Sequence, residues 1–257
     1  MSADRGTRDT YDEAITILFK GGRLPTWQRL SQDQQIDYSG QHVELMLSVA
    51  AEHGLSKLEG FKLIGAKEPW QRFWVIEFST LAGAEAWIKA EMAPPYGTYG
   101  HYEYHLSRRF ARGYFDPWVK EPQSLPTPLG PPDPWDIPDL DVSHDSYVVI
   151  EFAKMLPDAH QFTDQERGSS EHIELMNEVA TEHRLMRLES YHLIAPQPEW
   201  HRAYIIELPT MEGAEAWINA ELVPPQAAYS TKKMYLSRKW APEFFAGWVE
   251  KEMLETV

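Results

Sequence analysis

The residues from His42 to Val119 return, without a gap, from His172 to Val249, a displacement of about 130 positions. HVELMLSVAAEH comes back as HIELMNEVATEH, and LIGAKEPWQRFWVIEF as LIAPQPEWHRAYIIEL. GAEAWIKAEMAPP comes back as GAEAWINAELVPP, and LSRRF as LSRKW. A chain built twice from one pattern must fold as two similar units. The sequence therefore divides into a first repeat over 1–120, a Pro-rich linker over 121–142 and a second repeat over 143–257.

Each repeat reads as βαββαβ. In the first, Ala14 to Gly21 is rich in β-branched and apolar residues and predicts a strand. Ser31 to His53 predicts a helix, with His42, Met46, Val49, Ala50 and His53 on one face and Gly54 as its stop. Strands follow over Lys57–Gly65 and Gln71–Ser79, around a turn containing Pro69. Leu81 to Met92 predicts a second helix closed by Pro94 and Pro95, and His101 to Phe110 a fourth strand. The second repeat runs through strands at Ser146–Phe152, Arg187–Ile194, His201–Leu208 and Thr231–Lys239. Thr163 and Glu166 are spaced as a capping box for its first helix. Residues 1–12 read as a polar arm, and the last ten residues as a short docking segment.

That order gives an antiparallel four-stranded sheet with both helices on one face, the ferredoxin-like arrangement. Trp74, Ile76 and Phe78 alternate with Phe73 and Val75, so both faces of the sheet need cover. The expected fold is α+β: two tandem ferredoxin-like repeats packed sheet to sheet as an intramolecular α+β barrel.

A net charge of -15 argues against nucleic acid and against an anionic membrane surface as partners. With no Cys there is no disulfide frame, thiolate metal site or thiol nucleophile. No apolar run is long enough to span a bilayer, and the N-terminus has no apolar core of a signal peptide, so a soluble cytoplasmic protein is expected. No Gly-rich dinucleotide fingerprint or P-loop is present.

Several residues could carry chemistry. His42 and His172 lie on the apolar faces of their helices and point toward the sheet, where an imidazole can move protons near neutral pH. Structural histidines bonded to backbone are the alternative. His101, Glu103 and His105 share one side of a strand, and Tyr102 and Tyr104 the other. The three can serve proton transfer or substrate binding, or form a polar strand edge; no metal is assigned to them. Glu77 and Glu207 are carboxylates in apolar strands, and pairing with Arg72/Arg202 or Arg108/Arg238 would explain them. Trp74, Tyr191, His192 and Tyr204 can wall a pocket, and Tyr235 stands where the first repeat has His105.

The repeat order, the half length and the duplicated A-E-A-W-I helix resemble the dimeric α+β barrel superfamily in a fused form, with no individual family selected. That superfamily includes cofactor-free monooxygenases, lactone isomerases, polyketide cyclases, aromatic lyases and haem enzymes. The resemblance implies a lyase acting without an organic cofactor on a small aromatic or phenolic compound, lignin-derived phenols included. His42, His105, Tyr104, Glu77, His172 and Tyr235 would supply acid–base chemistry. Arg108 and Arg238 would anchor a carboxylate, beside His101, Glu103, Trp74, Tyr191, His192 and Tyr204. The alternatives are a cofactor-free monooxygenase or isomerase, a haem-binding protein with a histidine as axial ligand, and a non-catalytic module. A homodimer of the whole chain is compatible with each.

Overall fold

The computed structural model describes residues 11–65, 70–111, 113–122, 126–127, 146–194 and 199–249. The turn at Pro69, most of the polar arm and of the Pro-rich linker, and the chain from Glu250 on lie outside the described residues. Among the described residues the fold is α+β, with eight strands, antiparallel in every pairing given below, and five α-helices. In chain order these are β1 (Ile15–Arg23), α1 (Gln32–His53), β2 (Leu55–Leu63), β3 (Arg72–Phe78), α2 (Leu81–Glu91) and β4 (Gly100–Phe110). Then come β5 (Tyr147–Met155), α3 (Ser169–Glu182), β6 (Arg187–Leu193), β7 (Arg202–Leu208), α4 (Met211–Glu221), β8 (Ser230–Trp240) and α5 (Pro242–Ala246). No described helix is long and apolar enough to cross a membrane.

The chain forms two compact units. The first unit holds residues 13–107 and takes in residues 239–249. Its strands run β4-β1-β3-β2, with Phe19 opposite Trp74 on one side and Tyr104 on the other. The second unit holds residues 146–238 and takes in residues 108–122. Its strands run β8-β5-β7-β6, with Glu151 opposite Tyr204 and Met234. Each first strand is thus central, as a βαββαβ order demands.

Local chemistry explains the helices. Ser31 caps α1: its hydroxyl accepts from the Gln34 N–H at 3.2 Å while the Gln34 side chain accepts from the Ser31 N–H at 3.0 Å. The buried face of α1 carries Val43, Met46, Leu47 and Ala50. Thr80 and Thr210 cap α2 and α4 by accepting from Gly83 and Gly213 at 3.2 and 3.1 Å. The second repeat departs from expectation at α3. Thr163 and Glu166 do make the reciprocal bonds, at 2.7 and 3.2 Å, but they close a turn instead of starting the helix. Gly168 interrupts there with φ +64, a left-handed residue, and α3 begins only at Ser169.

Both faces of β3 are buried, as its alternation requires: Phe73, Val75, Ile76 and Phe78 are no more than 1% exposed. The first core joins Ile17, Met46, Phe78 and Trp87 to Trp240, Phe244, Phe245 and Trp248. The second joins Val149, Met176, Ile206 and Trp217, with Phe115 and Trp118 packed against them. Each aromatic run follows a buried alanine in the left-handed region, Ala111 (φ 53) or Ala241 (φ 44). Such a residue costs about 1–3 kcal/mol, so the rings packed beyond it must hold the turn in place.

Candidate functional site

Each unit has a cavity between its sheet and its helices, walled by strand residues, by the first and second helices and by the aromatic run. The volumes are about 480 Å³ in the first unit and about 430 Å³ in the second, both within the range of small-molecule sites.

In the first cavity the duplicated helix histidine, His42, faces the last residue of α2. Its Nε2 lies 3.4 Å from Glu91. The ring is stacked on Tyr96, centroids 3.9 Å apart and planes at 11°. Its Nδ1 is buried with no hydrogen-bond partner. The floor holds two guanidiniums. Arg23 lies 3.4 Å over Tyr96 and 4.4 Å over Trp27, and Arg72 lies 4.2 Å over Trp240. Burial brings Arg23 down to about 10, with the charge of Arg72 acting in the same direction, and burial also lowers Arg72. Tyr102, another wall residue, is pushed up to about 12 by burial and by Glu91.

In the second cavity His172 Nε2 lies 3.2 Å from Glu221, the last residue of α4. Lys232, on β8, donates to the same carboxylate. Burial works to raise Glu221, but hydrogen bonds from His172 and Lys232 outweigh it and hold the carboxylate low. Glu151, at the centre of β5, is 2% exposed and has one carboxyl oxygen without a partner. Burial, with Glu221 nearby, pushes it well above the ordinary carboxylate range, which favours its protonated form. Arg202, His192, His201 and Tyr204 complete the polar wall, against Ile173, Met176, Leu188, Phe115 and Trp118. His192 is lowered by burial and by the charge of Arg202.

The sequence candidates scatter over these surfaces. His42 and Trp74 line the first cavity, and His172, His192 and Tyr204 the second. Tyr104 is stacked on Phe19 at 4.8 Å and packs against the first core, its hydroxyl buried and unpartnered. Glu103 bridges Lys20 at 2.6 Å and His105 at 2.8 Å, on the strand side away from Tyr102 and Tyr104. Those bonds overcome burial and bring Glu103 to about 2. His101 is exposed and packs edge-on against Trp70 at 4.5 Å. Tyr191 is fully buried, donating to Glu189 at 2.8 Å. Lys233 lies over the ring of Tyr235 at 5.4 Å. None of the candidates Tyr104, Glu103, His105, His101, Tyr191 and Tyr235 lines either cavity.

Hydroxyls reach both strand carboxylates. Glu77 accepts from Ser56 at 3.2 Å and Thr16 at 3.4 Å, and Glu207 from Ser146 at 2.6 Å. Arg108 donates to the Asp12 carbonyl at 3.1 Å, and Arg238 to the Tyr147 hydroxyl at 2.6 Å. Sequence reasoning missed Glu91, Glu221, Glu151, Lys232 and Arg23. Glu91 and Glu221 carried a usable signal, since each closes the duplicated A-E-A-W-I helix and recurs together with its histidine.

No family model matches this sequence, and no curated protein matches it. Solved structures do match along nearly the whole chain. A lysine-for-arginine variant of chlorite dismutase from Candidatus Nitrospira defluvii gives a TM-score of 0.65 at 12% identity, covering 99% of both chains. A phenylalanine-for-tryptophan variant of that enzyme in complex with cyanide gives 0.64 at 12% identity, with 99% of both chains covered. The same enzyme in complex with imidazole gives 0.61 at 13% identity, again covering 99% of both. At such identities the likeness concerns the fold. It overturns the expectation of a cofactor-free lyase of aromatic compounds: that reading came from the superfamily alone, and structures of chlorite dismutase share this fold from end to end. The chain has an α+β fold similar to that of chlorite dismutase.

Proposed function

We propose that the second cavity is a haem site, with His172 as axial ligand. The observation that carries this is the pairing of His172 with an ionised, buried carboxylate, Glu221, itself anchored by Lys232. A metal-ligating histidine almost always directs its other ring nitrogen to a carboxylate or carbonyl, which sets the tautomer and raises the basicity of the ligating nitrogen. Histidine is the protein ligand of haem iron in several protein classes.

The rest of the donor set fits the group. Ile173, Met176, Leu188, Ile206, Phe115 and Trp118 offer apolar walls to a macrocycle, and Arg202 and His201 offer donors to its carboxylates. The likeness to chlorite dismutases supports the same reading. Two of those structures carry imidazole and cyanide, which both coordinate metals through a lone pair. When bound, haem supplies a redox-active iron with an exchangeable coordination position. Around it, Glu221 would hold the His172 Nε2 proton, Lys232 would keep Glu221 in place, and Glu151, when protonated, would offer a hydrogen-bond donor. The wider reading keeps two ferredoxin-like repeats, 1–120 and 143–257, joined by the 121–142 linker. It also keeps a cytoplasmic setting and a homodimer compatible with that plan.

Titration of the purified full chain with haemin tests the assignment. A Soret band that saturates at one haem per chain is expected, lost in His172→Ala and retained in His42→Ala. Absence of saturable binding, or binding indifferent to His172→Ala, overturns it.

A further inference from the structure

The first cavity poses a separate electrostatic problem. Gly21 on β1 pairs with Arg72 on β3, so Arg23, two residues on, is the diagonal neighbour of Arg72 on the same sheet face. Lys62 on β2 sits directly opposite Arg72. Three cations therefore cross one sheet face in a row, an arrangement that repels itself. All three line the cavity, and Glu91 is the carboxylate that lines it with them. Glu91 lies by His42, and neither Arg23 nor Arg72 has a carboxylate within ion-pair distance among the described residues. Both guanidiniums are instead laid on aromatic rings.

The walls add unpaired donors. Trp87 and Trp248 line the cavity, are 2% and 5% exposed, and have indole N–H groups without an acceptor. The Tyr102 hydroxyl is buried beside Arg23, and its own proton has no acceptor. Buried donors without partners are rare in folded proteins and cost about 1–3 kcal/mol each, so a run of them in one cavity points to an acceptor brought from outside. The remaining walls, Phe19, Trp74 and Phe245, are apolar. Gly21 keeps the space beside them, since a Cβ there would meet the Phe19 ring at 2.6 Å.

We propose that the first cavity binds a small organic carboxylate with an apolar body, its carboxylate held by Arg23 and Arg72 and its body against Phe19, Trp74 and Phe245. The guanidinium fork matches a carboxylate in two parallel hydrogen bonds. The apolar wall selects an organic acid over an inorganic anion. The second cavity does not share this chemistry: Met155 stands at the position of Arg23, and Glu151 at that of Phe19.

Octanoate is the probe, titrated into the full chain and followed by tryptophan fluorescence and calorimetry, with octanamide and inorganic phosphate as controls. Octanoate is expected to bind at one per chain, at least tenfold more tightly than either control. Arg23→Gln and Arg72→Gln should each weaken it tenfold or more, and Arg202→Gln should leave it unchanged. If a glutamine variant does not fold, Arg23→Lys and Arg72→Lys keep the charge but lose the fork, and are expected to weaken binding severalfold. Binding no stronger than that of octanamide overturns the proposal, as does affinity indifferent to both arginines. Saturating octanoate should leave the haemin titration unchanged. Displacement of haem by octanoate would place the anion in the second cavity and overturn the assignment to the first, whereas absence of haem binding leaves the octanoate result standing by itself.

Discussion

The two cavities share a frame and differ in what they are equipped to hold. Both keep a histidine on the first helix, a glutamate at the end of the second, a tryptophan one turn earlier and an arginine on the third strand. Around that frame the first has Phe19, Arg23, Tyr96 and Tyr102, where the second has Glu151, Met155, Gln226 and Lys232. The consequence for the histidine is direct. Tyr96 covers the ring of His42, while Gln226 occupies the corresponding place in the second cavity. The consequence for the glutamate is opposite in sense. Glu91 faces His42 across 3.4 Å, while Glu221 is held from two sides by His172 and Lys232.

The largest test of that contrast is truncation of the two glutamates. Glu221→Ala strands Lys232 and His172 in a buried site and should cost about 3 kcal/mol of stability, since breaking a buried pair leaves an uncompensated charge. Glu91→Ala removes a single longer contact and should cost about 1.5 kcal/mol. Urea midpoints measure both, and equal losses would mean that Lys232 adds nothing to the second cavity.

A pH series separates Glu151 from its apolar counterpart Phe19. Glu151 is raised in the folded chain, so the folded state keeps a proton that the unfolded state releases above its ordinary pKa of about 4.3. Stability should therefore fall as pH rises from there toward the folded pKa. Glu151→Gln should remove this fall and be the more stable protein at pH 8. A wild-type profile that rises over this range, with no gain in the variant, would show that Glu151 is ionised in the fold.

Exchange of the ring that covers the histidine has a smaller effect. Tyr96→Gln removes the stack on His42 and should lower stability by about 1 kcal/mol. Gln226→Tyr should cover His172 and weaken haem binding about tenfold, close to 1.4 kcal/mol. Haemin affinity unchanged by Gln226→Tyr would break the argument that this position opens one histidine and closes the other.

The smallest effect concerns the outer side of β4. Glu103 is depressed to about 2, so its contribution is present above the unfolded pKa near 4.3 and is lost as pH falls toward 2. Glu103→Gln should flatten acid unfolding over that window, by about 1 kcal/mol or less because the carboxylate is one-third exposed. The second unit has Lys233 at the matching place, and Lys233→Gln should leave the same window unchanged.

Much of this architecture was legible in the repeat. Period-two alternation predicted that Glu103 and His105 lie opposite Tyr102 and Tyr104, and the carboxylate does bond the imidazole of its own strand side. Ser31 and Gly54 bounded α1 because capping is local chemistry. The capping box at Thr163 failed as a helix start for an equally local reason, the left-handed Gly168 that follows it. The sites were far less legible. His42 and His172 stood out because each is an imidazole in an apolar face. Glu221 and Lys232 did not, since an acidic residue ending a helix and a lysine in an edge strand are ordinary at the surface. Glu151 is likewise a carboxylate inside an apolar strand, but Phe19 stands at the matching place in the first repeat, so the duplication gives it no signal.

The order of elements, the alternation of faces and the equivalence of the two repeats follow from residue spacing, because turns, caps and periodicity act over a few residues. The partners of Glu77, the pairing of Glu221 with Lys232, the row of Arg23, Arg72 and Lys62, and the arrival of Trp240 and Phe245 in the first core are settled by strand register and helix docking. Those bring together residues from eleven to more than a hundred positions apart, over distances at which charge and hydrogen bonding act but local spacing carries no information.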